Sequence, residues 1–141
     1  FFMKKFFALV LCLSVFALVA CGDKTNEAAA ATSAVFDKAT ESIGKATEAL
    51  KSAKDVNAVV AALDLTYKAM DSMKKDSNAI NDKYKNARGD EAKALELIKP
   101  AQERFMKAQT EFQAALQGLD TELLKDEKVQ DAFKKMGELK D

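Results

Sequence analysis

The sequence predicts an all-α protein: an antiparallel three-helix bundle with coiled-coil-like packing and a short C-terminal helix. Apolar residues recur at alternating steps of three and four through most of the chain beyond residue 33, the spacing that gathers side chains on one helix face. Nothing alternates apolar and polar residues with period two, and no β-branched run is bounded by turn pairs, so strands have no signature. The long periodic segments are joined by short connections, which makes neighbours run antiparallel.

The chain of 141 residues divides at Cys21. Met3-Lys4-Lys5 forms a basic start, with Phe1 and Phe2 preceding it, and Phe6 to Ala20 is an uncharged apolar run of 15 residues. A membrane-spanning helix needs about 20 apolar residues, so a basic head, a short apolar stretch and a small residue before the cut read as a secretory signal. The run closes on Leu18-Val19-Ala20-Cys21-Gly22. Leu-Val-Ala-Cys resembles the lipobox of bacterial lipoprotein signal peptides. The resemblance covers residues 3–22 and implies cleavage between Ala20 and Cys21, with acyl chains added to Cys21 as the anchor in the lipid bilayer. It also implies outer-membrane residence, facing the periplasm, because Gly22 rather than Asp follows the cysteine. Cys12 leaves with the peptide, and Cys21 is consumed as a thioether, so the mature chain keeps no thiol for a disulfide. Each buried CH₂ adds about 0.8 kcal/mol, so two or three acyl chains hold firmly. The domains expected are therefore a signal peptide (1–20), a lipidated cysteine with a flexible tether (21–32) and a helical bundle (33–141).

The tether rests on composition: Gly22 to Thr32 holds no large apolar residue to fix it to a core. The alternative is that its alanine run opens helix 1. In that first helix Phe36, Ala39, Ile43, Ala46, Leu50 and Ala53 form a narrow stripe, with Thr32 or Ser33 suited to its start. Asp55 offers the next N-cap. The second stripe runs Val56, Val59, Leu63, Thr66, Met70, Met73, Ser77, Ile80, Tyr84 and Ala87, widened by Val60 and Tyr67. Asn86 to Asp90 reads as a turn, with Gly89 at C′ and Asp90 as the following cap. The third stripe is Leu95, Ile98, Ala101, Phe105, Ala108, Phe112, Ala115 and Leu119, and Gly118 helps to end it. Pro100 lies inside, where its missing N–H predicts a kink or a restart. Val129, Ala132, Phe133 and Met136 then make a short amphipathic helix, capped by Asp126. A second helix of 33 residues and a third of 29 would be about 50 and 44 Å long. They are expected to form a hairpin, with helix 1 in its groove. The slim, alanine-rich core predicts modest stability, and Gln109 and Gln113 fall off the stripe.

Charge and composition exclude several classes of function. Lys4 and Lys5 lie in the signal, which leaves 20 cationic against 22 acidic residues in the remainder. A chain without basic excess is not a nucleic-acid binder. With no histidine, imidazole acid–base chemistry, Ser-His or Cys-His nucleophiles and histidine metal ligands are all absent. Ser42-Ile43-Gly44-Lys45 and Ser72-Met73-Lys74-Lys75 match the S-x-x-K string of penicillin-recognising enzymes. The partner motifs are missing, however, and Ile43 and Met73 sit on core stripes. Arg88-Gly89-Asp90 spells an integrin-binding tripeptide, which a C-cap glycine followed by an N-cap aspartate explains. Asp120, Glu122, Asp126 and Glu127 cluster around the last turn, but a calcium loop needs Gly at its sixth position, and Lys125 stands there. Capping suits these acids better.

Met70, Met73, Met106 and Met136 have the spacing of core residues rather than of an adaptable groove. The lysines at 74, 75, 83, 85, 134 and 135 are interleaved with Asp76, Asp82 and Asp131, the pattern of a solvated face rather than of a lipid-binding patch. No catalytic residue, cofactor or metal site is expected. The function expected is a non-catalytic structural or protein-interaction module of the cell envelope, bilayer-anchored through Cys21 and docked on an envelope protein. The alternative is an envelope binding module that holds an apolar ligand or an unfolded client.

Overall fold

Four aspartates set where the helices begin. In the computed structural model, which describes residues 24–85 and 90–140, Asp55 accepts a hydrogen bond from the backbone N–H of Ala58 at 2.9 Å, and Asp90 accepts one from Lys93 at 3.0 Å. Asp120 and Asp126 do the same for Glu122 and Lys128. Each carboxylate satisfies an N–H that the first turn leaves without an intrahelical partner. The helices are α1 (Lys24–Lys51), α2 (Val56–Tyr84), α3 (Glu91–Gln117), α4 (Thr121–Lys125) and α5 (Glu127–Gly137), with a 3₁₀ turn at Glu138–Lys140. The described residues contain no strand. The three long helices pack together as a helical bundle. The signal segment, Ala20, Cys21, Gly22 and the turn residues 86–89 lie outside the described residues.

Helix α1 starts earlier than expected. The segment read as a tether is helical from Lys24, and Thr25, Ala28, Ala29 and Thr32 are buried against the bundle. Thr32 is therefore an interior residue, its hydroxyl donating to the Ala28 carbonyl at 2.9 Å, and not a cap. The same back-bond buries Thr47 on Ile43 and Thr66 on Ala62. That device lets a small polar residue enter a core stripe without an orphaned hydroxyl.

The arrangement of the long helices also differs from the expected hairpin with an inserted first helix. The close backbone approaches join α1 to α2 and α1 to α3, with no comparable approach between α2 and α3. Side-chain pairs give the directions. Glu27 meets Lys83 and Lys38 meets Asp76, so α2 runs back along α1. Asp37 meets Arg104 and Phe36 meets Phe105, and the C-terminal ends of both helices line one cleft, so α3 runs with α1. Small side chains permit the close approaches to α1. Ala28, Ala29, Ala39 and Ala46 are fully buried along it, and small residues let two neighbours approach closely.

Most of the stripes are core as expected. Phe36, Ile43, Leu50, Val59, Leu63, Phe105 and Phe112 are buried in one cluster. Phe36 and Phe105 meet with ring centroids 5.4 Å apart, tilted by 57°, a favourable aromatic geometry. Three positions on α3 depart from expectation. Leu95 is 47% exposed, and Ala94 beside it is buried. Met106 is also 47% exposed rather than core, and Gln109, expected off the stripe, is only 4% exposed. On a helix advancing about 100° per residue, Leu95 and Met106 share one flank while Gln109 falls toward the core. Pro100 neither restarts nor ends the helix, since Glu91–Gln117 is continuous. It lies on the exposed side, where solvent meets the carbonyl that its missing N–H leaves free.

Helix α5 closes the fold against α2. Val129 and Met136 are buried and Ala132 and Phe133 partly so. Around them Lys135 Nζ stands 4.3 Å over the Tyr67 ring and Lys74 Nζ donates to the Leu139 carbonyl at 3.1 Å.

Candidate functional site

The serines of both S-x-x-K strings face one groove between α1 and α2, of about 340 Å³. Its apolar lining is Val35, Ala39, Leu65, Ala69 and Met73, and its polar lining is Ser42, Ser72, Asp76 and the lysines at 38, 45 and 68. Neither serine meets the lysine of its own string. Ser42 donates to the Lys38 carbonyl at 3.1 Å, while Lys45 pairs with Glu41 at 2.6 Å. Ser72 donates to Asp76 and accepts from Lys38 Nζ at 3.0 Å, while Lys75 pairs with Asp71 at 2.7 Å. A nucleophilic serine needs a neighbouring base to take its proton. Here the carboxylate that Ser72 faces, Asp76, is already paired with the Lys38 ammonium at 3.1 Å, which weakens it as a base. The geometry suits hydrogen bonding at a helix–helix seam.

A second, larger concavity of about 1060 Å³ lies where the C-terminal ends of α1 and α3 meet α4. Leu50, Ala53, Ala115, Leu119 and Leu123 supply its apolar part, and Lys51, Lys54, Glu111 and Glu122 stand at its edge. It exists because α1 ends at Lys51 while the chain beyond Gly118 turns away into α4, whose Leu123 is only partly buried. Gly118 caps α3 by donating its N–H to the Ala114 carbonyl, with nothing larger than a hydrogen to fill the space.

The opposite end of the bundle is built differently. There Glu27 accepts from the Tyr84 hydroxyl at 2.6 Å and from Lys83 Nζ at 2.8 Å, tying the first turn of α1 to the last turn of α2. Lys83 and then Tyr84 hold the Glu27 carboxyl below its ordinary range, and the Glu27 carboxylate in turn pushes the Lys83 ammonium above its own. The sequence does not announce this cluster, because its partners lie 56 and 57 positions apart. The only early signal was that Thr25, Ala28/Ala29 and Thr32 continue the helix 1 stripe backwards in steps of three and four.

Asp90 of the Arg-Gly-Asp string caps α3, and Arg88 and Gly89 lie outside the described residues. In the acidic cluster Asp120 and Asp126 are caps and Glu122 pairs with Lys125 at 3.1 Å. Among the described residues no three carboxylates converge as metal ligands. Met70, Met73 and Met136 are buried. Of the lysine faces, Lys75 and Lys83 pair with Asp71 and Glu27, and Lys135 lies near Asp64 at 3.7 Å, so the pairing acids are not the sequence neighbours Asp76, Asp82 and Asp131. No helix among the described residues is long and apolar enough to cross a membrane. The chain matches no protein-family model, no curated protein and no solved structure. The class it defines is an all-helical bundle built around α1.

Proposed function

We propose that this chain is a bacterial lipoprotein, anchored through acylated Cys21 and acting as a non-catalytic structural or protein-interaction module of the cell envelope. In this reading residues 1–20 are removed between Ala20 and Cys21, and the remainder is an antiparallel, coiled-coil-like three-helix bundle with a short C-terminal helix. The observation that carries it is the string Leu18-Val19-Ala20-Cys21 at the end of an uncharged run behind Lys4-Lys5. The long exposed helix faces, with many surface ion pairs, support an interaction role over a buried reaction site. Gly22 after the cysteine favours the outer membrane with the bundle in the periplasm. No cofactor, metal or nucleic acid enters this reading, and the protein partner is another envelope component.

Mass, fractionation and crosslinking measurements test it. The intact mass of membrane-extracted protein should show acyl mass on a chain starting at Cys21, and Cys21→Ala should release the protein from the membrane. A soluble native species without acyl mass refutes the anchor, and recovery only with inner-membrane markers refutes the location. Crosslinking in native membranes should then recover an envelope protein. The second reading, a module holding an apolar ligand or unfolded client, draws on the cleft of Leu50, Ala53, Leu119 and Leu123. It requires ligand-dependent melting, because whatever binds only the folded state raises stability by mass action.

A further inference from the structure

We propose that the end of the bundle carrying Lys24, Lys83 and Lys85 is a membrane-contact surface, so that the domain stands end-on against the lipid headgroups instead of floating on a tether. The inference rests on the acylation of Cys21 proposed above. Only Gly22 and Asp23 separate Cys21 from Lys24, and three steps of extended chain span at most about 11 Å. Slack beyond that would have to come from unwinding the start of α1. That start is held: Thr25 is 2% exposed, Ala28 and Ala29 are buried, and Glu27 is bound by both Lys83 and Tyr84 of α2. Freeing it would expose Tyr84, itself buried, and break both hydrogen bonds.

Charge permits the contact. Among the described residues, the turns that meet at this end carry as many lysines (Lys24, Lys83, Lys85 and Lys93) as carboxylates. Glu27 is engaged by Lys83 and Asp90 by the α3 N-terminus. A surface without net charge meets an anionic leaflet with no net repulsion. Lying flat is disfavoured because the exposed large apolar side chains do not form one face. Leu95 and Met106 share a flank of α3, but Leu97 lies about 200° round from Leu95, and Leu65 is on α2. With its 28 residues, α1 then holds the cleft at Leu50 about 40 Å above the bilayer.

The test uses the lipidated full-length protein. With Cys12 removed and Cys21 acylated, no free thiol competes with an introduced one. Lys85→Cys and Lys54→Cys, exposed positions at opposite ends, are labelled with a fluorophore. Each protein is placed in phosphatidylcholine vesicles carrying a headgroup nitroxide lipid. The Lys85 label should be quenched at least about threefold more than the Lys54 label, since the two differ in height by about 40 Å. Inserting a Gly/Ser segment of about 15 residues after Gly22 should remove most of that contrast, because such a linker is a flexible coil. Equal quenching of the two labels on acylated protein overturns the end-on mount alone, and a contrast unchanged by the insertion overturns the short connection as what imposes it. A mass without acyl chains on the same samples overturns the lipoprotein reading and the mount with it.

Discussion

Gln109 shows what a stripe argument misses. Its side chain is 4% exposed, and its Nε2 has no hydrogen-bond partner among the described residues. A buried amide left unpaired is destabilising by about 1–3 kcal/mol. Gln109→Met, which keeps the volume and removes the orphan donor, should therefore raise stability by about 1 kcal/mol. A denaturant melt of fragment 23–141 with a lower or unchanged midpoint would contradict that. Phe112 is the opposite case, read as core and found 1% exposed. Phe112→Ala should lower stability by about 3–5 kcal/mol, against under about 0.5 kcal/mol for the exposed Glu103→Ala. Similar midpoints for those two variants would mean that Phe112 is not part of the cooperative core. Phe112 was legible because a large apolar side chain on a periodic stripe has one good place to go. Gln109 was not, because its burial depends on what packs beside α3.

Helix α1 was the segment whose extent was least visible, since from Lys24 to Thr32 its buried residues are threonine and alanine. Small residues contribute little hydrophobic area, so the composition looked like a tether. Their value is geometric, as they allow two long helices to approach α1 closely. Ala46 is fully buried on that seam. Ala46→Leu should push the helices apart and lower stability by about 1–3 kcal/mol, although leucine is the more hydrophobic residue. A gain in melting temperature would show spare room at the seam and mean that small side chains are not what permits the close approach. The helix starts were easier. Asp55, Asp90 and Asp126 were expected as caps and serve as caps, because an N-cap acts within three residues and needs no tertiary partner.

Across the assembled bundle, acid sensitivity should come partly from the end where Glu27 meets Lys83 and Tyr84. Hydrogen bonds from Lys83 and Tyr84 hold the Glu27 carboxyl below its ordinary value of 4.5. Pairing lowers Glu41 and Asp64 in the same direction, through Lys45 and Lys68. A carboxyl lowered in the folded state contributes stability that is complete above its ordinary value and is lost as pH falls through the lowered one. Melting temperature should thus fall as pH drops below the ordinary value of 4.5, and Glu27→Gln should show a smaller drop than the parent. Equal drops would mean that Glu27 is not bound at that end in solution.

The sequence alone determined the helical class, the caps, most of the core stripe and the expectation of a lipid anchor. Each of these is written in local spacing or in one contiguous string. The tertiary structure decided the rest: that α1 lies between its neighbours, that the chain is already helical at Lys24, that Leu95 and Met106 face outward while Gln109 faces inward, and that Glu27 meets Tyr84. Those outcomes depend on which faces meet and how closely. A stripe of alternating threes and fours fixes an apolar face, but its partner is chosen by the side-chain volumes of all three helices together.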